Sequence, residues 1–103
     1  MKKTSDAVRI LERLSGPNRR LRRRIEEATL NARVAEMIYE ARTQAGLSQR
    51  ALADLIGTKQ PVIARLEDAD YEGHSLSMLA RIAAALDRKL DVRFRPAKRK
   101  RAA

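Results

Sequence analysis

Apolar residues recur along this chain at intervals of three and four. Val8, Leu11 and Leu14 fall on one side of a short helix that Ser5 or Asp6 can cap, and the stretch SGPN at 15–18 stops it. Pro17 suits the first turn of a new helix. From there the apolar positions run Leu21, Ile25, Ala28, Leu30, Val34, Met37, Ile38, Ala41 and Ala45, helical spacing almost to Gly46, which reads as the residue just past a helix end. Thr29 and Asn31 are poor helix formers and good caps, so the pattern allows one long helix or two abutting ones.

Beyond Gly46 the segments shorten. Ser48 is a good N-cap for a helix over 49–55, with Leu52, Leu55 and Ile56 facing inward, and Gly57 closes it after two turns. A further helix runs from about Lys59 to Glu67 with Val62, Ile63 and Leu66 inward. Pro61 lies inside this pattern. If Thr58 or Lys59 is the cap, Pro61 takes the first or second helical position, where the N–H it lacks has no intrahelical acceptor, and it marks a helix start. ADYEGH, 69–74, is a loop, and Ser75 caps a helix over 76–87 that buries Leu76, Leu79, Ile82, Ala83 and Leu86. The period then changes: in KLDVRFR, 89–95, Leu90, Val92 and Phe94 alternate with Asp91, Arg93 and Arg95, which is strand spacing. A lone strand leaves its backbone groups unpaired. Pairing with the same strand of a second molecule about a two-fold axis is the simplest remedy.

The expected fold is therefore all-α, a five-helix helix-turn-helix domain with an N-terminal helical extension and one C-terminal strand. The extension covers 1–31, the helix-turn-helix domain 32–88, the dimerising strand 89–95, and a disordered basic tail 96–103.

Composition narrows the function. The 103 residues suffice for one small domain, and with three aromatic residues the core is built from Leu, Ile, Val, Ala and Met. Having no cysteine, the chain has neither disulfides nor thiolate chemistry, which suits the cytoplasm. The start has no unbroken apolar stretch, so no signal peptide is expected, and no window reaches the length of a membrane span. The net charge is +10, which points to a polyanionic partner. Residues 1–31 carry nine basic and four acidic groups, 32–95 ten and nine, and 96–103 four basic and none acidic. The excess charge thus sits in the flanks around a nearly neutral centre. That centre predicts weak polyanion binding by a single copy, with a dimer and the basic flanks supplying much of the affinity.

Two short helices joined by a glycine turn within a helical bundle are helix-turn-helix architecture. AGLSQRALADLIGTKQPVIARLE closely resembles the XRE (Cro/repressor) family, over about residues 35–88. The matching features are LSQ at the opening of the second helix, Ala51 and Ala53 where helices pack closely, Gly57 at the turn, Gln60 early in the third helix, and the ending ARLE. The resemblance implies that the third helix enters the major groove of duplex DNA at a palindromic operator, bound by a homodimer. It implies phosphate contact by Gln49, Arg50 and Thr58, and contact with phosphate or a base edge by Lys59. Gln60 sits where the family reads a base, and glutamine can bond adenine with two hydrogen bonds. Pro61 and Ala64 face the groove where a thymine methyl would lie, and Arg65 reaches toward guanine. The competing reading makes Gln60 and Arg65 ordinary solvent-facing positions, Gln49 a mere cap of its helix, and Arg65 a partner of Glu67, Asp68 or Glu72. The acidic run Glu67, Asp68, Asp70, Glu72 departs from the family, because carboxylates repel phosphate; Glu67 usually faces inward in the family.

The wider segment RLEDADYEGHSLSMLARIAAALDRKLDVRF, with the N-terminal extension, looks like the antitoxins of HigBA-type toxin–antitoxin pairs. Those repress their own operon and neutralise a small ribonuclease toxin, so a cognate ribonuclease is a possible partner. The competing readings are a stand-alone XRE regulator and an interaction module that no longer reads DNA.

RRLRRR, 19–24, is either a solvated helix face with Leu21 and Ile25 turned inward, a phosphate contact beside the operator, or a surface for an acidic partner. KRKR, 98–101, adds salt-dependent, sequence-independent DNA affinity. His74, the only histidine, has no cysteine for a metal site. Ser75 and Ser77 read as capping residues, and Tyr71 with His74 fixes the loop or touches the DNA backbone. Neither enzyme chemistry nor a cofactor is expected.

Overall fold

The computed structural model describes residues 18–97. Four helices follow in order: α1 Arg19–Gln44, α2 Gln49–Ile56, α3 Gln60–Leu66 and α4 Leu76–Ala85. Local chemistry fixes their ends. The Ser48 hydroxyl accepts a hydrogen bond from the Ala51 amide at 3.0 Å, and Ser75 does the same for Met78 at 3.1 Å, satisfying amides that the first turn leaves free. Gly57 ends α2 at φ +77°, a left-handed conformation costly for any residue with a Cβ. Lys59 caps α3 and Pro61 is its second residue, so the proline opens this helix rather than breaking it.

The core is made of Ile38 from α1, Leu52, Ala53 and Ile56 from α2, Ile63 and Leu66 from α3, and Ile82 from α4. Leu52 and Ile63 are fully buried. Burying a side chain of that size contributes about 1.5–3 kcal/mol each. Only the C-terminal half of α1 takes part: Ala35, Ile38 and Arg42 are buried, while 18–30 are exposed throughout.

The break considered at Thr29–Asn31 is absent, and α1 runs through it as one helix. Thr29 Oγ1 donates to the Ile25 carbonyl at 3.0 Å, so the hydroxyl back-bonds within the helix instead of capping a new one. The expected helix at 5–14 lies outside the described residues, as do 98–103, leaving four helices among the described residues instead of five.

The expected strand is not formed. Residues 89–97 have no regular structure, Val92 is exposed, and Phe94 stands wholly in solvent. A strand exists only by virtue of its ladder, and the described chain offers this segment no edge to pair with. Asp91 and Arg93 pair with each other at the surface, 3.1 Å apart. Leu55 and Leu76, expected inside, are 59% and 62% exposed, and Leu21 and Ile25 are 44% and 53% exposed. Helices of two or three turns bury a narrow stripe, which Leu52 and Ile56 fill in α2 and Leu79 and Ile82 in α4, so the flanking Leu55 and Leu76 turn outward.

Candidate nucleic-acid interface

One chain of hydrogen bonds joins the ends of three helices. Arg42, near the end of α1, donates from Nε and Nη2 to the two Glu67 oxygens at 2.6 and 3.0 Å, a two-pronged ion pair whose side chains are only 9% and 5% exposed. Arg42 Nη1 donates to the Leu47 carbonyl at 2.7 Å, holding the α1–α2 turn. The hydrogen bond to Glu67 raises the Arg42 pKa above its ordinary value; burial opposes this, and the attraction of the Glu67 carboxylate adds to it. Glu67 Oε1 also accepts from Gln49 Nε2 at 3.0 Å, and Gln49 Oε1 accepts from Gln60 Nε2 at 2.7 Å. The first residues of α2 and α3 are therefore locked side by side, anchored to a buried charge pair.

Around this pair the expected site residues gather. Arg50, Thr58, Lys59, Gln60 and Pro61 line one open depression over the α2–α3 turn. Arg50, Lys59, Gln60, Pro61 and Arg65 are exposed, while Gln49, Thr58 and Ala64 are half-buried. The arrangement presents amide and cationic donors, with little apolar bulk, from the amino-terminal ends of two helices. Such ends carry free N–H groups and partial positive charge, which favour anions. Gln49 is not the cap of α2, a task that falls to Ser48. Arg65 has no acidic partner among the described residues, since Glu67 is taken by Arg42.

Of the acidic run after α3 one carboxylate, Glu67, is withdrawn from solvent, while Asp68, Asp70 and Glu72 stay exposed. Glu67 points inward and is neutralised, and Asp68 Oδ1 accepts from the Asp70 amide at 2.9 Å. The loop beyond is fixed from within. His74 Nε2 lies 2.7 Å from the Leu66 carbonyl, which makes that nitrogen the protonated donor, and the Tyr71 ring meets the imidazole edge-on at 5.0 Å between centroids.

Residues 38–92 match the helix-turn-helix family. The chain belongs to it. Over 68 residues the protein is also 34% identical to an uncharacterized HTH-type transcriptional regulator of Haemophilus influenzae, covering 66% of this chain and 68% of that one. No solved structure matches.

Within the helix-turn-helix unit, three residues escaped sequence reasoning. Asp54 lines the same depression as Arg50 and Lys59 and puts one carboxylate at its rim; its place one turn after Arg50 on α2 was the available signal. Arg42 is one of two arginines between 32 and 49, and only its position four residues after the core residue Ile38 marks it as inward. Arg81 donates to the Ile56 carbonyl at the end of α2, tying α4 beneath the turn, and nothing in its spacing announces this. Among the described residues no group of His, Cys, Asp and Glu could hold a metal ion, and no helix is long and apolar enough to cross a membrane.

Proposed function

We propose that this protein is a sequence-specific DNA-binding transcriptional repressor that reads the major groove with α3. The observation that carries the reading is the Gln49–Gln60 pair. Gln60 is exposed on the first turn of α3, and its amide is oriented by Gln49, which is itself anchored to Glu67 and Arg42. A glutamine held in one orientation can present its amide edge to adenine, whereas a free one first loses rotamer entropy. Gln60 and Arg65 read bases, Pro61 and Ala64 meet the groove floor, Lys59 reaches a base edge or phosphate, and Gln49, Arg50 and Thr58 hold phosphate. Replacing Gln60 and Arg65 together by alanine is expected to cost about 1–3 kcal/mol per lost base contact and to flatten the preference among operator sequences. An operator preference left intact in a binding-site selection would sink the reading.

The working unit is a homodimer on a palindrome with half-sites about one helical turn apart. An apolar groove between α1 and α4, lined by Met37, Ala41, Leu79, Ala83, Leu86 and Leu90, and the exposed Val92 and Phe94 that follow Leu90 in the chain support self-association.

The finer assignment is the antitoxin and autorepressor of a HigBA-type pair. Its support is the resemblance over the segment that follows α3, together with an α1 that extends well past what DNA reading needs. Co-expression with the product of the neighbouring small reading frame tests it. Relief of growth arrest and co-purification are the expected outcome, and a harmless neighbour that forms no complex would leave a stand-alone regulator. Reading the chain as a pure interaction module keeps part of its motive: of the acidic run that prompted it, Glu67 is turned inward and Asp68, Asp70 and Glu72 are exposed.

A further inference from the structure

The N-terminal half of α1 is a two-sided object that the DNA interface does not use. Leu21, Ile25, Ala28 and Ala32 succeed one another at intervals of four, three and four, the spacing of a heptad seam. Leu21 and Ile25 are 44% and 53% exposed, Ala28 is exposed and Ala32 half-buried. Arg22 and Arg24 fall at the two positions that flank such a seam, the ones whose charges choose a partner. Glu26 and Glu27 fall at outer positions, where they neutralise neither flank of a facing helix. Arg22 reaches Glu26 at 3.7 Å, an exposed contact; among the described residues the other arginines of the run form no ion pair, and Glu72 shares a depression with Arg24 and Ala28.

Two further observations set this surface apart. The five arginines at 19–24 occupy the amino-terminal turns of α1, the end at which a helix disfavours positive charge, and Asn18 makes no side-chain cap there. The other end of α1 leads into the turn that holds Gln49. At 1.5 Å per residue, Arg22 stands about 33 Å up the helix axis from Gln44.

We infer that this half of α1 is a coiled-coil docking seam for a helix of another protein, one with an apolar stripe and acidic flanks. Charge decides among the occupants. A second copy in parallel register sets arginine against arginine, and in antiparallel register centred on Ile25 like flanks face one another, again arginine to arginine, with Glu26 at an outer position. Residues 5–14 of this chain bring Val8, Leu11 and Leu14, but their Asp6 and Glu12 are offset by Arg9 and Arg13, so they carry no acidic excess to meet the run. Nucleic acid would answer the arginines and leave Leu21 and Ile25 uncovered. A helix with glutamates at its flanks satisfies both features, buries the alanines at close approach, and relieves the unfavourable charge at the start of α1.

The test uses two synthetic heptad peptides with leucine at their core positions, one with Glu and one with Lys at the flanks. Each is titrated against the full chain by fluorescence anisotropy. The Glu peptide is expected to bind and the Lys peptide not. Charge reversal at both flanks (Arg22→Glu with Arg24→Glu) should weaken the Glu peptide by about tenfold or more and admit the Lys peptide. Ile25→Asp should abolish both, with helicity unchanged by circular dichroism because these side chains are exposed. Affinity for a random-sequence duplex should be the same for all variants. Equal binding of the two peptides, or indifference to charge reversal, would overturn the proposal. A duplex affinity lost on charge reversal would assign the surface to nucleic acid instead. A self-association of the wild type removed by Ile25→Asp would assign it to a second copy. Because duplex and peptide binding are read separately, failure here is distinguishable from failure of the repressor reading.

Discussion

Glu67 does two things with one carboxylate: it neutralises Arg42 in the interior and orients Gln49 at the surface. Removing it separates these roles. Glu67→Leu leaves a buried guanidinium without its partner and is expected to cost about 3–5 kcal/mol, read from the urea midpoint. The double variant Arg42→Met with Glu67→Leu removes both charges, and should recover most of that loss while still failing to orient Gln49. Stability regained without operator affinity would show that the pair serves recognition as well as folding. Full recovery of both would mean that Gln60 needs no anchoring. The sequence made half of this legible. The family resemblance pointed Glu67 inward, but its partner lies 25 residues earlier, in a chain with many arginines. No local pattern distinguishes the one that folds inward.

The elements were legible wherever chain chemistry alone sets them. The caps Ser48 and Ser75, the glycine after α2 and the proline opening α3 all act within a few residues, so sequence suffices to place them. Gly57 can be tested directly. A Cβ there meets nothing within 4 Å, so its burden is the backbone alone. Gly57→Ala is expected to destabilise by about 1–2 kcal/mol, from left-handed backbone sterics, and to lower Tm by several degrees without altering the apolar packing. A neutral result would mean that the turn relaxes to another conformation, and the angle between α2 and α3 would change with it. The failures share a different cause. Leu55 and Leu76 turned outward because a helix of two or three turns carries more apolar residues than its contact stripe can cover. The strand at 89–95 failed because alternation shows which side chains share a face and not whether a neighbouring strand exists.

At the scale of the molecule, charge and apolar surface are divided among separate regions. The proposed recognition face lies at the amino-terminal ends of α2 and α3. The groove beside α4 and the exposed Val92 and Phe94 lie elsewhere, and the arginine-flanked seam is at the far end of α1. The proposed two-fold can be tested without disturbing the fold. Val92→Asp with Phe94→Asp changes only exposed side chains, so unfolding should shift by no more than about 0.5 kcal/mol for each. The species seen by sedimentation velocity should become monomeric, with operator affinity falling accordingly. A dimer that persists would place the two-fold axis on another face.

The unbroken course of α1 through Thr29 has a consequence of its own. With no hinge between its two ends, the direction in which the seam points is geared to the direction in which Gln60 points. Adding one residue near Ala32 would swing the seam around the axis by about 100° while lifting it about 1.5 Å. Adding a heptad would restore its bearing about 10 Å farther out. A molecule held at the tip of α1 therefore meets the operator-bound protein at one rotational phase. That phase, set by the number of residues between Ile25 and Arg42, governs which neighbours on the DNA such a complex can touch.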